Sequence, residues 1–342
     1  RLAVGASSGD GLNNSASNTG AVYLYTFTDS AFSGGKLDGI IGEGYSGGKN
    51  LNQSLAGADK FGVGVSLDGN RLAVGARGGD GSGNSASDSG EVYLYTYSGD
   101  SISSAVFATN SASGSTITPS TITTQLSAGT NVVLQANNDI TVSNAITASN
   151  GSGDGGNLTL QAGRSVLINA NITTDNGDLI LTANDTTANG VVDAQRDSGA
   201  AVITLASGTT VNTGTGSFTA TLRAGTGKTN LASGDITLSS VTAGSLVVTN
   251  SGPTSGSDIL DTGVLTITGT SSFTTSVSDA DIILDSVNAF TGALALNTTG
   301  SSGNATVNNG TTALDIAASS VGGNLTLTAV GAITQSGTLV IP

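Results

Sequence analysis

Short apolar segments with period-two alternation recur along the chain, separated by runs of Gly, Asn, Asp and Ser. The segments 61–67 and 72–76 flank the turn Asp68-Gly69-Asn70 and predict a β-hairpin, because these turn residues tolerate positive φ. Residues 91–97 are rich in β-branched and aromatic side chains and predict a third strand. The pattern therefore predicts an all-β protein.

A unit of 70 residues occurs twice within the first hundred positions. The hexapeptide at 1–6 recurs unchanged at 71–76, and Val22-Tyr23-Leu24-Tyr25 recurs at 92–95. Regular repeats of this kind are modules that bury their apolar faces against neighbours. We expect three or four antiparallel strands per unit. Because Arg1 matches a position just after the hairpin turn, we also expect the natural protein to begin earlier.

The repeat resembles a known family. Phe61-Gly62, the run 67–76 and Ser89-Gly90-Glu91-Val92-Tyr93 are similar to bacterial FG-GAP repeats, the units of integrin-like β-propellers. The resemblance covers residues 1–106 and implies blade-like sheets with a surface or adhesive role. Propellers have four to eight blades, so two incomplete units would need further sequence or other subunits for closure.

Blades of that family often hold calcium in an Asp-rich loop. The matching loops offer side-chain oxygens, the donors that Ca²⁺ prefers, from Asp80, Asn84 and Asp88 in the second repeat and from Asp10, Asn14 and Asn18 in the first. Two interpretations are open: a calcium site, and a solvated Asx turn without metal. Calcium is the one cofactor that the sequence brings into consideration.

A different repeat follows a Ser/Thr-rich linker predicted at 107–124. Within 125–342, residues 131–136 match 157–162 at an offset of 26, and a turn residue before a short aliphatic strand recurs at Asn157, Asp178, Asp235, Asp281 and Asn324. Stacked coils of 20–26 residues need this pattern, so we predict a β-helix of about ten coils, on the order of 50 Å long. A set of β-sandwiches is the alternative. Small, uniform aliphatic residues favour the solenoid.

These rungs, including 129–134 and 323–333, are similar to the β-helix of filamentous-haemagglutinin-type exoproteins. The resemblance covers most of 125–342 and implies secretion through an outer-membrane partner of a Gram-negative bacterium. It also implies work as an extracellular adhesin or fibre. The secretion domain of that family is not recognisable in the sequence.

The amino-acid composition excludes several kinds of catalytic and metal site. The chain has no Cys, His, Met or Trp, only 10% charged residues and a net charge of −14. Thiol nucleophiles, imidazole bases and the usual zinc sites are thereby excluded. The charge disfavours nucleic acid, and no apolar run is long enough for a membrane span. We therefore expect a secreted or cell-surface protein that is not an enzyme.

The sequence leaves three candidate functions open. The first is a segment of a bacterial surface adhesin or self-assembling fibre, with copies of the chain as partners. The second is a carbohydrate- or receptor-binding module that uses the blade loops. The third is a polysaccharide-degrading β-helix enzyme, which needs paired carboxylates; Asp279, Asp281 and Asp285 form the densest acidic group. A turn role for Asp281 is the simpler interpretation, and the four cations after residue 107 look scattered.

Overall fold

The computed structural model describes residues 2–27, 32, 35–46, 50–68, 71–81, 87–96, 107, 116–224, 233–254, 256–310 and 312–342. The chain divides into two compact units, Arg1–Gly99 and Asp100–Pro342. Both units are built from β-strands, which confirms the predicted all-β class. Within the described residues, no helix is long and apolar enough to cross a membrane.

The first unit contains two small sheets. Its strands are β1 (Leu2–Ala6), β2 (Ala21–Thr26), β3 (Lys36–Gly42), β4 (Leu51–Asn52), β5 (Phe61–Asp68), β6 (Arg71–Ala76) and β7 (Glu91–Thr96). The order is β1-β2-β3-β4 in one sheet and β5-β6-β7 in the other. All neighbours are antiparallel except β3 and β4, which pair in parallel. The predicted hairpin and third strand are confirmed, and the parallel β4 departs from the expected antiparallel pattern.

The two sheets of the first unit share one hydrophobic core. Val22, Leu24 and Ile41 from the first sheet form a single buried cluster with Phe61 and residues of β6. Glycine allows the close approach, since a Cβ on Gly5 would lie 2.0 Å from the carbonyl oxygen of Gly62. The first 70-residue repeat therefore buries an apolar face on the second, so the sequence repeat is also a repeat of packing.

The second unit begins with the helix α1 (Pro119–Ser127), which overlaps the end of the predicted linker and was not predicted. Pro119 at the first helical position suits a helix start, and Ile122 and Leu126 are buried against the first coil. The following strands are β8 (Val132–Ala136), β9 (Ile140–Val142), β10 (Ile146–Thr147), β11 (Leu158–Ala162), β12 (Val166–Ile168), β13 (Ile172–Thr173), β14 (Leu179–Ala183), β15 (Ala201–Leu205), β16 (Thr210–Asn212), β17 (Ser217–Leu222), β18 (Ser233–Leu238), β19 (Ser240–Ala243), β20 (Ser245–Asn250), β21 (Ile259–Asp261), β22 (Leu265–Ile267), β23 (Ser271–Ser278), β24 (Ile282–Leu284), β25 (Ala289–Phe290), β26 (Leu294–Thr299), β27 (Ala305–Asn308), β28 (Leu314–Ile316), β29 (Ser319–Ser320), β30 (Leu325–Thr328), β31 (Ile333–Gln335) and β32 (Leu339–Val340).

These strands form three long parallel sheets, as a β-solenoid requires. The first sheet runs from β8 through β11, β14, β17, β20, β23 and β26; the second runs from β9 to β30; the third runs from β10 to β25. Strands pair in register from coil to coil, for example Leu158 with Val132 and with Leu179. The parallel register excludes the sandwich alternative for the described part of this unit.

Coil lengths vary more than the sequence predicts. Equivalent positions are separated by 26 residues between the first two coils and by 21 between the next two, but by 39 between Asp178 and Ser217. The long coil carries a side loop at residues 184–200 between β14 and β15. Within the described residues the first sheet has nine successive strand positions, from β8 to β32, where about ten coils were predicted.

The recurring strand pattern occurs in two different sheets. Asn157 and Asp178 precede strands of the first sheet, whereas Asp281 and Asn324 precede strands of the second and Asp235 lies within one. Treating them as one rung position was therefore wrong. Both sheets have the same local requirement, a polar turn residue followed by alternating inward aliphatics, so local sequence does not distinguish them.

Candidate functional sites

The described ends of the two predicted calcium loops share one hydrogen bond; residues 82–86 of the second loop lie outside the described residues. The Asp10 carboxylate accepts the backbone N–H of Asn18 at 2.8 Å, and Asp80 accepts that of Asp88 at 2.8 Å. Asn18 and Asp88 have φ of 55° and 53°, which Asn and Asp tolerate better than most residues. Each loop is therefore held by an Asp that bridges eight residues. A span of eight residues is longer than that of an Asx turn, in which the side chain accepts a backbone N–H two residues on.

The remaining predicted calcium ligands are only partly described. Asn14 is exposed at the end of the 3₁₀ turn Leu12–Asn14. Asn84 lies outside the described residues. Among those that are described, no three acidic side chains are grouped so as to hold a metal ion. Calcium in these loops stays a prediction, and a calcium titration followed by the tyrosine fluorescence of the first unit tests it.

A buried carboxylate beside the second loop was missed by the sequence argument. Asp59 is 3% exposed; one carboxylate oxygen accepts the N–H of Ala56 at 2.7 Å, and its Oδ1 has no partner within the described structure. Burial raises the pKa of Asp59, and the negative charges of Asp80, Glu91 and Asp88 raise it further. The signal was the Asp directly before Lys60-Phe61-Gly62, but only the fold places it near the other three carboxylates.

The acidic residues of the solenoid form a hydrogen-bonded stack. The Oδ1 of Asp235 accepts the N–H of Asp258 at 3.0 Å, Asp258 accepts that of Asp281 at 2.7 Å, and Asp281 accepts that of Asn304 at 2.7 Å. Asn304 continues the stack by accepting the N–H of Asn324 at 2.8 Å. Each side chain thus ties its coil to the next, which is the turn role expected for Asp281.

The other two candidate catalytic acids lie around the same coil in structural roles. Asp279 has a φ of 65° and accepts the N–H of Ser302 at 2.9 Å. The main-chain oxygen of Asp285 accepts a 3.3 Å hydrogen bond from Asn308. The alternating positions of Asp279 and Asp281 favour a common face of a strand, but both residues precede β24 and lie in the turn. Asp279 and Asp281 both accept backbone N–H groups of the next coil, and Asp281 also accepts the side-chain amide of Asn304 at 3.1 Å.

One position of the second sheet holds an aliphatic residue on the other coils and an aspartate on one coil. Asp261 pairs in register with Leu238 and is 7% exposed. Its carboxylate accepts hydrogen bonds from the Asn288 side chain at 2.6 Å and from the Ser286 N–H at 3.1 Å. Burial raises the pKa of Asp261. The turn at 286–288 is thereby fixed to the coil before it.

Three arginines that look scattered in sequence lie around one turn of the solenoid. Arg164 makes a two-pronged ion pair with Asp139, at 2.8 and 2.6 Å. Arg196 is fully buried, donates to the main-chain oxygen of Asp185 at 2.8 Å and lies 3.3 Å from the Asp193 carboxylate. Lys228, the fourth cation of this region, lies outside the described residues.

The arginine cluster anchors the side loop at 184–200. Arg223 on the following coil pairs with Asp185 at 3.1 Å, and Arg164 donates to the main-chain oxygen of Ser198 at 3.2 Å. Asn137 from the first coil accepts the N–H of Val192 at 2.8 Å. These contacts join four coils through one loop.

A cavity of about 670 Å³ lies at the start of the solenoid, between residues 116–122 and the first coil. Apolar and polar residues line it in similar numbers, with Ile122, Leu134, Val142 and Leu160 among the apolar ones and Asn138 among the polar ones. The helix α1 packs against β8 and β10. Two of its side-chain hydroxyl groups accept hydrogen bonds from backbone N–H groups of the first coil.

Comparison with known proteins adds two partial similarities. The model of the FG-GAP repeat matches residues 55–95, the part that contains β5, β6, β7 and the second loop. A family described as repeats of unknown function, DUF5649, matches 226–297 and 302–342 within the solenoid. Neither the curated proteins nor the solved structures contain a match to the chain. The chain is thus similar to FG-GAP repeats in its first unit and to an uncharacterised repeat family in part of its second.

Proposed function

We propose that the chain is a structural segment of an extracellular bacterial surface protein that works as an adhesin or fibre. The observation that supports this proposal is the in-register stacking of the solenoid, in which side-chain oxygens of one coil accept hydrogen bonds from the backbone N–H groups of the next. Parallel stacking of this kind gives a continuous hydrogen-bonded body. Such a body suits load bearing and display.

The finer features of the proposal come from resemblance. The first unit would act as blade-like sheets of an integrin-like propeller, and the second as a β-helix of the filamentous-haemagglutinin type. Secretion to the surface of a Gram-negative bacterium follows from the same resemblance. The FG-GAP match at 55–95 supports the first part of this assignment.

Surface display of the full chain on a non-adherent bacterium tests the proposal. We expect displayed chain to cause cell aggregation or attachment to coated surfaces. A solenoid-core variant, Ile236→Asp, displayed in equal amount, should lose this effect because Ile236 is fully buried. The proposal would be wrong if the displayed chain produced no attachment but released fragments from acidic polysaccharides, with Asp281→Ala abolishing the release.

Glycan or receptor binding by the loops of the first unit is the second candidate. Its support is the Asp-to-backbone hydrogen bond that closes both loops between equivalent positions. Preorganised loops lose less entropy on binding. A glycan screen with the full chain and with Asp80→Ala tests it: loop-dependent binding requires signals that fall in the variant while the tyrosine fluorescence of the folded first unit is retained.

A further inference from the structure

Asparagine is followed directly by glycine at four places in the second unit: Asn150, Asn176, Asn189 and Asn309. Such pairs are prone to deamidation, because glycine has no Cβ to hinder the attack of its backbone nitrogen on the preceding side chain. The sequence alone does not distinguish between the four pairs. The hydrogen bonds of the structure do.

At three of the pairs the glycine N–H, which must supply the attacking nitrogen, already has a partner. Gly177 and Gly190 each donate to the main-chain oxygen three residues earlier, at 3.4 and 3.1 Å. Gly310 donates to the side chain of Asn308 at 3.1 Å. Among the described residues, the Gly151 N–H has no hydrogen-bond partner, and Gly151 is exposed. The nitrogen beside Asn150 is therefore the most accessible of the four.

The side-chain amide of Asn150 is held within a tight turn. Its Oδ1 accepts the backbone N–H of Ser152 at 2.8 Å, and its Nδ2 donates to the main-chain oxygen of Asp154 at 3.1 Å. Attack on Cγ moves negative charge onto Oδ1, and a fixed backbone N–H at that oxygen stabilises the charge in the transition state. Asn309, in contrast, is fully buried, which keeps water away from its amide.

We propose that Asn150 is a site of spontaneous deamidation, at which the Gly151 nitrogen displaces ammonia from the side-chain amide. The Gly151 nitrogen loses its proton to solvent and forms a bond to Cγ of Asn150. The bond between Cγ and Nδ2 breaks, and Nδ2 takes up a proton and leaves as ammonia. Water then opens the five-membered imide at either carbonyl, which leaves aspartate or isoaspartate at position 150. The inference goes beyond the proposed function and does not depend on it.

Deamidation at this position changes a contact between two coils. The backbone N–H of Asn150 donates to the Asp175 carboxylate on the next coil, and the Gly155 N–H donates to the main-chain oxygen of Asp175 at 2.7 Å. A carboxylate at position 150 cannot donate to the Asp154 oxygen, and it adds a negative charge beside Asp175. Isoaspartate also lengthens the main chain of the turn, which is closed by the Gly153 N–H on the Asn150 oxygen at 2.9 Å. We therefore expect this corner of the solenoid to loosen.

Incubation of the folded full chain in mildly alkaline buffer, followed by tryptic digestion and mass spectrometry, tests the site. Cleavage after Arg77, Arg164 and Arg196 places Asn150 on the peptide 78–164, away from the other three pairs. We expect conversion of amide to acid to be about tenfold faster at Asn150 than at the other pairs, since each of those must first break a hydrogen bond of its glycine N–H. Fragmentation of the peptide locates the converted residue and distinguishes isoaspartate from aspartate. In the same chain unfolded in urea, the four rates should become similar.

Gly151→Ala is the matched variant. A Cβ at position 151 meets no atom within 4 Å, so the fold is retained, and circular dichroism checks this. The added methyl group hinders attack by the backbone nitrogen, so the deamidation rate of Asn150 should fall severalfold. The inference is wrong if Asn150 of the folded chain reacts no faster than the other pairs. It is also wrong if Gly151→Ala deamidates at an unchanged rate, because the amide would then be hydrolysed directly.

Discussion

Truncation of one leucine in each repeat gives a matched test of the packing in the first unit. Leu24 and Leu94 occupy the same position of the 70-residue repeat, but Leu24 is 6% exposed and Leu94 is 79% exposed. Leu24→Ala removes buried methylene and methyl groups worth about 2 kcal/mol in transfer free energy, at roughly 0.8 kcal/mol per group. The remaining cavity raises the expected loss to about 3 kcal/mol, within the range of roughly 2–5 kcal/mol for core leucines.

Leu94→Ala removes the same atoms from an exposed position. Its effect is expected to stay within about 0.5 kcal/mol, as for other surface substitutions. For a unit of this size, 3 kcal/mol corresponds to a fall in Tm of about 15 °C.

Tyrosine fluorescence isolates the relevant transition. All six Tyr residues lie between positions 23 and 97, and the chain has no Trp, so the signal reports the first unit alone. Urea and thermal unfolding of both variants would be compared with the unchanged protein. Equal destabilisation by the two substitutions, or a larger effect of Leu94→Ala, would refute the packing of Leu24 on the second repeat.

Three further substitutions follow from the contacts. Gly5→Ala should destabilise the first unit by about 1–3 kcal/mol in tyrosine-monitored unfolding, because its Cβ would lie 2.0 Å from the Gly62 oxygen. The matched control Gly75→Ala, whose Cβ would lie 3.7 Å from the nearest atom, should change the stability by under about 0.5 kcal/mol. Equal effects of the two substitutions would contradict the close approach of Gly5 to Gly62. Asp258→Asn should stabilise the solenoid at neutral pH by about 1 kcal/mol, the repulsion from one neighbouring carboxylate about 4.8 Å away in a water-like dielectric, while the amide oxygen still accepts the Asp281 N–H. Burial, followed by the charges of Asp235 and Asp281, raises the pKa of Asp258. The unchanged protein therefore loses stability as the pH rises from the ordinary aspartate pKa of about 4. The extra stability of Asp258→Asn, measured in circular-dichroism melts, must disappear near about pH 3, and extra stability that is the same at every pH would count against the stack. Arg196→Ala, which leaves the buried Asp185 backbone oxygen without its donor, should cost about 3 kcal/mol and expose the side loop to limited proteolysis. Arg223→Ala should also destabilise the loop, by about 1–3 kcal/mol, because the Asp185 carboxylate that it pairs with is fully buried. An unchanged rate of side-loop cleavage in Arg196→Ala would exclude an anchoring role for Arg196.

Much of the fold follows from local patterns. The hairpin of β5 and β6 was predicted from alternation on both sides of Asp68-Gly69-Asn70, and its register confirms it. The short aliphatic strands of the solenoid were predicted in the same way. Such features depend on residues that are adjacent in sequence, so the side-chain period and turn chemistry are sufficient to predict them.

The candidate sites were less predictable because they combine distant residues. Arg164, Arg196 and Arg223 meet only because successive coils bring one turn into alignment, and the side loop returns Arg196 to it. Asp59 becomes a buried carboxylate through contacts that its own sequence neighbourhood does not reveal. The helix α1 has weak sequence signals beyond Pro119, and its place over the first coil explains its burial.

The sequence by itself determined the all-β class, the 70-residue repeat and the strand positions, because alternation and turn residues act locally. The tertiary structure alone decided which copies of identical residues are buried: Val22 and Leu24 lie in a core, and Val92 and Leu94 face solvent. It also decided that Asp178 and Asp281 serve different sheets. The physical reason is that burial and stacking depend on what a surface packs against, and the same local sequence adopts different environments when its neighbours differ.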